Sequence, residues 1–481
     1  MQASINPSPK PHIYGICRGA CAKGNTPGNT PLSPGWPNAR IEGNPGNRMR
    51  RIGEMLRSGD WLTRERVRLV AVALLIASAA GFLFLVVTAR GAVDLQGRPL
   101  GTDFSNVYAA GTYVRDGETD AAFDPPRQFA REQAIFGATT QFYGWHYPPY
   151  FLFVAAALAR LPYGLALAVW QAVTLGLYVL VMWGIVATPL PPPAAATSPS
   201  RGEVRYDWLL LALAFPAVLI NVGHGQNGFL TAALLGGALV MLDRRPLVAG
   251  ILFGLLVYKP QYGLLLPIVL AVSGRWKCFA AAAATVAVLT VATTLTFGAA
   301  VWGAFLDSTH FTRSVVLEQG NTGWYKIQSV FAWARMWGAP IPLAYALQGV
   351  TIVALGAALA RLWRSAAPYP PKAAALCLAT ILATPYSFDY DMMVLAPAIA
   401  FLAVDGFGRG FTPWEKTLLA ALWLVPLVAR SFAHLSLIPL GVPAMLAMFV
   451  LILRRSELFG GTGLLRQIKR HDIPNAMTSP R

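Results

Sequence analysis

Long apolar segments alternate with short polar connections along this chain, and the pattern predicts an integral membrane protein. Apolar runs of about 20 residues, the length needed to cross a bilayer, recur from Val67 to near the C-terminus. We therefore expect an all-α polytopic membrane protein with about twelve transmembrane segments and interfacial helices in its external loops. Composition agrees: 13% of the 481 residues are charged, against about a quarter in soluble domains.

The same pattern divides the chain into four parts. Residues 1–48 are rich in Pro, Gly and Asn, which predicts a disordered tail, and Met49 and Met55 are candidate translation starts. Residues 49–66 form a basic flank, residues 67–455 the transmembrane domain and residues 456–481 a second tail. Both the flank and the second tail are expected in the cytoplasm.

Charge sets the expected orientation. The net charge is +17, and the basic residues cluster at helix ends and in the tails, which is typical of cytoplasmic loops. The arginines before residue 67 should keep the N-terminus inside, so the first helix (67–88) runs outward and Asp103 lies outside. No basic stripe is interleaved with aromatic residues, so we do not expect a nucleic-acid partner.

The remaining segments follow from the same rule. "PPYFLFVAAALAR" (148–160) is too short to span and predicts an interfacial helix, and "YKPQYG" predicts two short helices that meet within the membrane. Other expected features are helices at 163–187, 207–222 and 277–299, an external loop at Val301–Pro340 and an external turn at Thr384–Asp391.

This topology brings many polar side chains to the outer membrane edge. They are Asp103, His146, Gln226, Asn227, His310, Lys326, Asp389 and Asp391, with Lys259 approaching from within. An outward-facing site is therefore predicted.

Several short motifs carry a resemblance to a known family. They are an Asp-Phe pair after the first helix, "YPP" before the second, "GQNG", "GLLVYKP" and "PYSFDYD". Their order and shared sidedness resemble glycosyltransferase family 87, over roughly residues 60–455. The resemblance implies the GT-C fold of polyprenol-phosphate-mannose-dependent mannosyltransferases. It also implies inverting transfer of a sugar from a polyprenyl phosphate outside the bacterial cytoplasmic membrane, with Asp103 as the essential aspartate of the first external loop.

The chemistry of such a transfer requires the same parts. An acceptor hydroxyl must lose its proton as it attacks, so a carboxylate serves as general base, and Asp103 is that candidate. The leaving phosphate needs positive charge, for which Lys259, His146 and His310 are candidates. The expected substrate pocket includes Tyr147, Gln226, Asn227, Lys326, Asp389 and Asp391. A lipid monophosphate offers no diphosphate to chelate, so we expect neither metal nor cofactor, only the lipid-linked sugar as co-substrate.

Each of these residues also has a plainer interpretation. Asp103 suits an N-cap, Asp124 a turn, and Lys259 could reach the interface. The pair Asp389 and Asp391 forms a D-x-D motif, which suggests a metal in soluble sugar-nucleotide enzymes. Gln226 and Asn227 suit a tight turn. His146 could anchor the interfacial helix, and His310 could be an ordinary loop residue.

Two other classes of protein compete with a transferase. A secondary transporter or flippase also uses broken helices and intramembrane charge, although the two halves of the chain show no similarity. A structural subunit for polymer export would not depend on Asp103. The sugar, which mannose or another hexose would satisfy, and the lipid or glycan acceptor stay open.

Overall fold

The computed structural model describes residues 45–187 and 201–461 of the chain. Within this part, β structure is limited to three isolated bridges, and the prediction of an all-α protein is confirmed. The chain divides into two units, Met1–Arg50 and Arg51–Arg481. Nearly all the described residues belong to the second unit, which contains the membrane helices.

Six helices precede the gap in the description, and side-chain caps mark two of their starts. Thr63 accepts a hydrogen bond from the N–H of Arg66, and Asp124 accepts one from the N–H of Arg127. Asp124 thus begins a helix, as polar N-caps do. The helices are α1 (Pro45–Ser58), α2 (Arg64–Thr88), α3 (Phe104–Asp116), α4 (Pro125–Phe136), α5 (Leu152–Leu158) and α6 (Tyr163–Val186).

The next six helices contain two interruptions. A single helix was predicted at 207–222, but the chain bends by 44° at Pro216, because proline cannot continue the hydrogen bonding of a helix. The break predicted at "YKPQYG" is present as two 3-10 turns on either side of Lys259. The helices are α7 (Arg201–Leu213), α8 (Pro216–His224), α9 (Gly228–Met241), α10 (Pro246–Leu255), α11 (Leu266–Val272) and α12 (Trp276–Phe297).

In the last part of the chain, helices form where a loop was predicted, at 301–340. Two helices form there, joined through a π-helical segment at Thr312–Glu318. The helices are α13 (Ala300–Phe311), α14 (Val330–Met336), α15 (Ile341–Arg364), α16 (Tyr369–Leu382), α17 (Leu395–Arg409), α18 (Glu415–Ser436) and α19 (Gly441–Gly461).

Fewer helices than expected are long and apolar enough to span a membrane. In the described ranges there are six. Five are α2, α6, α12, α15 and α18, and the sixth is Asp389–Arg409, which consists of α17 and the 3-10 turn before it. The number is seven if α8 and the end of α7 form one bent span. The predicted number of about twelve is not confirmed. Several expected segments are short: α9 has 14 residues, which is about 21 Å of helix against a hydrocarbon core of about 30 Å.

Helices α9, α16 and α17 form the centre of the bundle, since most of their side chains are buried. Helix α2 is different because its apolar side chains stay exposed, for example Leu69 at 70% and Val87 at 72%. Exposed apolar surface of this extent on one helix is expected where lipid covers the protein.

Ion pairs join many of the basic helix ends. Arg64 at the start of α2 pairs with Asp207 on α7 at 2.6 Å. Arg455 on α19 pairs with Asp405 on α17 at 2.7 Å and also with Glu415 at the start of α18. The ends that the charge pattern groups on one side are therefore in contact with each other.

Two predicted boundaries shift. Residues 1–44 of the predicted tail 1–48 lie outside the described residues. Its last four residues are helical, because α1 begins at Pro45. At the other end α19 extends to Gly461, past the predicted boundary at 455. The rest of the predicted 456–481 tail lies outside the described residues.

Candidate functional site

Asp103 is held at the end of the bundle by two glycines. Gly101 and Gly225 both adopt positive φ angles, 64° and 63°. They pack so closely that a Cβ atom on Gly225 would lie 2.6 Å from the Cβ of Phe104 and 3.3 Å from the carbonyl oxygen of Gly101. The backbone N–H of Asp103 donates to the carbonyl of His224 at 3.0 Å. The turn after α8 therefore fixes the start of α3, as the "GQNG" motif requires.

The carboxylate of Asp103 does not cap its helix. Asp103 occupies the N-cap position of α3, but its side chain makes no capping hydrogen bond. Its Oδ2 instead accepts a hydrogen bond from Nε2 of Gln226 at 2.7 Å. The side chain of Asp103 therefore does not have the capping role that the plainer interpretation gave it.

Residues 137–147, which we call the strap, connect α4 to the turn before α5. Two of them, His146 and Tyr147, lie near Asp103, and we call the group of side chains around Asp103 the pocket. The Tyr147 hydroxyl donates to Oε1 of Gln226 at 3.4 Å, which places Gln226 between Tyr147 and Asp103. Burial raises the pKa of Tyr147 well above its ordinary value, and the carboxylates of Asp103 and Asp391 raise it further. Tyr147 therefore lies within electrostatic reach of both acidic residues.

His146, also in the strap, is expected to be neutral. Its Nδ1 shares a hydrogen bond with the Thr312 hydroxyl at 2.8 Å, at the first residue of the π-helical segment. Burial lowers the pKa of His146 to about 4, against an opposing effect of Asp103. At neutral pH the imidazole can exchange hydrogen bonds with a phosphate but would bring no positive charge.

Two cations lie near the acidic residues of the pocket. Nε of Arg430, on α18, lies 2.7 Å from Oδ2 of Asp389 and forms an ion pair with it. Burial and the charge of Arg430 lower the pKa of Lys326, while Asp103 and Asp389 raise it. Lys326 therefore lies near all three, and in the described part of the chain it has no ion-pair partner.

Lys259 has a partner of its own. Its Nζ lies 2.6 Å from Oδ1 of Asp391, and both side chains are buried. Oδ2 of Asp391 accepts the N–H of Phe388. The break between α10 and α11 is thus tied to the turn before α17 by a neutralised pair. The prediction that Lys259 binds a phosphate stays untested, but any such contact would compete with Asp391.

The other predicted residues have more distant or structural positions. His310 is exposed on α13. Asn227 is buried at the N-cap of α9, where its carbonyl accepts the hydroxyls of Thr231 and Tyr258. The plain interpretation of Asn227 as a turn residue therefore fits its contacts.

The D-x-D carboxylates diverge, because Asp389 pairs with Arg430 and Asp391 with Lys259. Across the described ranges, no group of three or more His, Cys, Asp and Glu side chains is arranged to hold a metal ion. The expectation that no metal takes part stays a prediction.

Two pocket residues were not singled out from the sequence. Arg430 could have been, because an arginine within an apolar helix is costly and is usually functional. Glu132 on α4 could not, because "REQAIF" is an ordinary amphipathic pattern. Only the fold shows that Glu132 is fully buried, close enough for Asp103 to raise its pKa.

The described residues form six or seven membrane-length helices with a cluster of acidic and basic side chains at one end, which defines a polytopic membrane protein. The model of glycosyltransferase family 87 matches residues 145–385, about half of the sequence, and the chain belongs to this family. It is therefore a membrane glycosyltransferase, and the resemblance seen in its motifs is confirmed. Comparison with curated proteins and with solved structures found no match.

The family match covers part of the pocket. It includes His146, Tyr147, Gln226, Lys259 and Lys326. Asp103, Asp389, Asp391 and Arg430 lie outside the matched range, so their place in the pocket rests on the structure.

Proposed function

We propose that this glycosyltransferase transfers a sugar, mannose or another hexose, from a polyprenyl phosphate to a lipid or glycan of the cell envelope, with inversion at the anomeric carbon. The reaction takes place at the outer face of the bacterial cytoplasmic membrane. The observation that carries the proposal is that Lys326 lies within electrostatic reach of both Asp103 and the Arg430–Asp389 pair.

Asp103 is the general base in this proposal. The acceptor hydroxyl gives its proton to the carboxylate as its oxygen attacks the anomeric carbon, and the bond from that carbon to the phosphate oxygen breaks. Inverting transfer from a phosphate needs one such base, because the phosphate leaves without a carboxylic acid to protonate it, whereas inverting and retaining hydrolases both use two carboxylates. The contact with Gln226 orients the carboxylate without neutralising it.

Lys326 and Arg430 are suited to the leaving phosphate. Negative charge grows on the phosphate as its bond to the sugar breaks, and cations placed beforehand stabilise that charge. Arg430 uses Nε for its ion pair with Asp389, which leaves the terminal N–H groups of its guanidinium for the phosphate. Lys326 is a half-buried ammonium group close enough to Asp103 to feel its charge. His146 would add a hydrogen bond from a neutral imidazole. Lys259 would act on the phosphate only if it left Asp391.

The test is a donor screen with the purified full-length protein in lipid nanodiscs. Polyprenyl phosphates that carry different radiolabelled hexoses are supplied with an envelope lipid extract, and a parallel reaction contains sugar nucleotides. We expect label in a new lipid or glycan product only with a polyprenyl-phosphate donor, and the product's anomeric configuration should be opposite to that of the donor.

Two outcomes would contradict the proposal. Transfer from sugar nucleotides alone would remove the lipid donor, and retention of configuration would remove the single-base mechanism. Reconstituted vesicles provide a third measurement. Movement of the intact lipid-linked sugar between leaflets, without transfer, would support the transporter or flippase class instead.

A further inference from the structure

Glu132 is a buried carboxyl group to which the reaction above assigns no role. It lies on α4 with 0% of its side chain exposed. Its Oε2 accepts the backbone N–H of Tyr143, in the strap, at 2.9 Å. One helical turn earlier, Nε2 of Gln128 donates to the carbonyl of Asn106 on α3 at 3.0 Å. Glu132 and Gln128 thus join α4 to the strap and to α3.

This cluster has too few hydrogen-bond donors. Oε1 of Glu132, Oε1 of Gln128 and Oδ1 of Asn106 are buried acceptors without a partner among the described residues. A buried acceptor without a donor costs about 1–3 kcal/mol. Rotating the Gln128 amide would turn its Nε2 toward other acceptors but would take it from the carbonyl of Asn106. A proton on Glu132 supplies the missing donor, and Gln128 lies one turn away to accept it.

The electrostatic surroundings also favour the neutral acid. The pKa of Glu132 is raised from 4.5 to about 8, chiefly by burial and also by the charge of Asp103, against the lowering effects of the Tyr143 N–H and the nearby Gln128 amide. The other ionisable groups facing Glu132 are the phenols of Tyr143 and Tyr163. Arg131, the neighbour of Glu132 on α4, pairs with Asp116 at 2.6 Å and so does not neutralise Glu132.

The strap that Glu132 holds carries two residues of the pocket. Tyr143 precedes His146 by three residues and Tyr147 by four, and Tyr147 contacts the Gln226 side chain that orients Asp103. We propose that Glu132 is a positioning residue that acts in its neutral form: its protonated carboxyl group holds the strap against the Asp103 pocket, and loss of the proton loosens it. The catalytic consequence rests on the proposed function, whereas the structural consequence can be measured without it.

The experiment follows hydrogen–deuterium exchange of peptides from 137–147 in full-length protein in nanodiscs, with protection factors corrected for the pH dependence of intrinsic exchange. When the strap opens, Glu132 returns to water and to its ordinary pKa of 4.5. The closed state therefore binds more protons than the open state between pH 4.5 and about 8. Protection should fall with pH in this window, by up to about tenfold per pH unit, and level off above it.

Glu132→Gln imitates the neutral acid, because its amide can accept from Tyr143 and donate to Gln128. This variant should keep strong, pH-independent protection of the strap. Asp120→Asn is the matched control, since Asp120 is exposed in the turn between α3 and α4, and it should reproduce the wild-type pH dependence. In a transfer assay, Glu132→Gln should retain activity above pH 8 relative to wild type.

Two results would overturn the proposal. One is wild-type protection that stays constant between pH 5 and 9, and the other is an equal loss of protection in Glu132→Gln. If no polyprenyl-phosphate donor gives transfer, the proposed function fails while the exchange result still decides the role of Glu132.

Discussion

Asp103 differs from the other aspartates of the pocket in its charge balance. Asp389 and Asp391 each have a cation at 2.7 Å or closer, whereas Asp103 has no ion-pair partner in the ranges the structure describes. Its contact is the neutral amide of Gln226. A carboxylate that is not tied to a cation has an oxygen available to accept a hydrogen bond from the acceptor hydroxyl, as a general base requires. The structure thus gives a physical reason to choose Asp103 among the three aspartates of the pocket.

Asp103→Asn tests this assignment. The amide keeps an oxygen for Gln226 and the shape of the side chain, but it cannot take a proton from the acceptor. We expect single-turnover transfer to fall by about a hundredfold or more, with donor affinity and thermal stability close to wild type. Asp120→Asn should leave transfer unchanged. Near-normal transfer by Asp103→Asn would show that another group is the base.

Lys326→Gln tests the phosphate contact. Lys326 has no ion pair to lose in the described structure, so this variant removes a cation without leaving a buried charge. A hydrogen bond to a charged group contributes about 1.5–3 kcal/mol, which predicts a loss of donor affinity of about ten- to a hundredfold. Arg430→Lys keeps the charge and changes the geometry, so it should lose less.

The control for the phosphate contact is Lys277→Gln, because Lys277 is exposed beside Arg275 at the other end of the bundle. Donor binding is measured with a polyprenyl-phosphate sugar in the absence of acceptor. Equal affinity for wild type and Lys326→Gln would remove Lys326 from the phosphate site.

At this scale the sequence predicts residue types better than partners. Asp103, Gln226 and Tyr147 were expected in one pocket, and they are in hydrogen-bond contact. The pairing of Lys259 with Asp391 could not be predicted, because the two residues are 132 positions apart and the pairing depends on how two helix breaks meet. The burial of Glu132 could not be predicted either, since a charged residue on an amphipathic helix normally faces water.

Among the elements, the broken helix at Lys259 is the feature that the sequence indicates most clearly. Proline and lysine in an apolar stretch interrupt the helix, and the structure places the break there. The bend at Pro216 had the same kind of signal within "AFPAV". The π-helical segment at Thr312–Glu318 has no comparable sequence signature, and the polar spacing of 301–340 was more typical of a loop.

The Lys259–Asp391 pair should hold the broken helix to the start of α17. Removing one partner of a buried ion pair costs about 3–5 kcal/mol, because the other charge is left uncompensated. Lys259→Met should therefore lower stability by about this amount. Lys259→Met with Asp391→Asn should recover much of it, since Asn can still accept the N–H of Phe388.

Denaturation of the purified variants in one detergent measures this difference, and donor affinity measured in parallel separates the two roles of Lys259. A single variant with unchanged stability and weakened donor binding would support the phosphate role predicted from the sequence. A double variant no more stable than Lys259→Met would show that the pair does not stabilise the helix break.

For the whole molecule, the separation of charge predicts the orientation in the membrane. Helix α18 shows the distance involved: Thr417 near its start accepts a hydrogen bond from Trp61, just before α2, and Arg430 contacts the pocket thirteen residues later. At 1.5 Å per residue these points are about 20 Å apart along the helix axis. The basic ends and the pocket therefore lie at opposite ends of α18, and from the positive-inside rule we predict that the pocket faces outward.

Accessible cysteines can test that orientation. Cys278 and Cys377 are buried and can stay, while Cys17 and Cys21 are replaced by serine. Asp120→Cys and Thr322→Cys then report on the pocket end, and Ala366→Cys reports on the turn between α15 and α16; all three positions are exposed. Because the arginine-rich ends should remain in the cytoplasm, a membrane-impermeant maleimide should label positions 120 and 322 in intact spheroplasts. Position 366 should be labelled only after permeabilisation. The reverse result would put the pocket in the cytoplasm, where a sugar nucleotide is the available donor, and would remove the outer-face reaction while leaving the fold and the family unchanged.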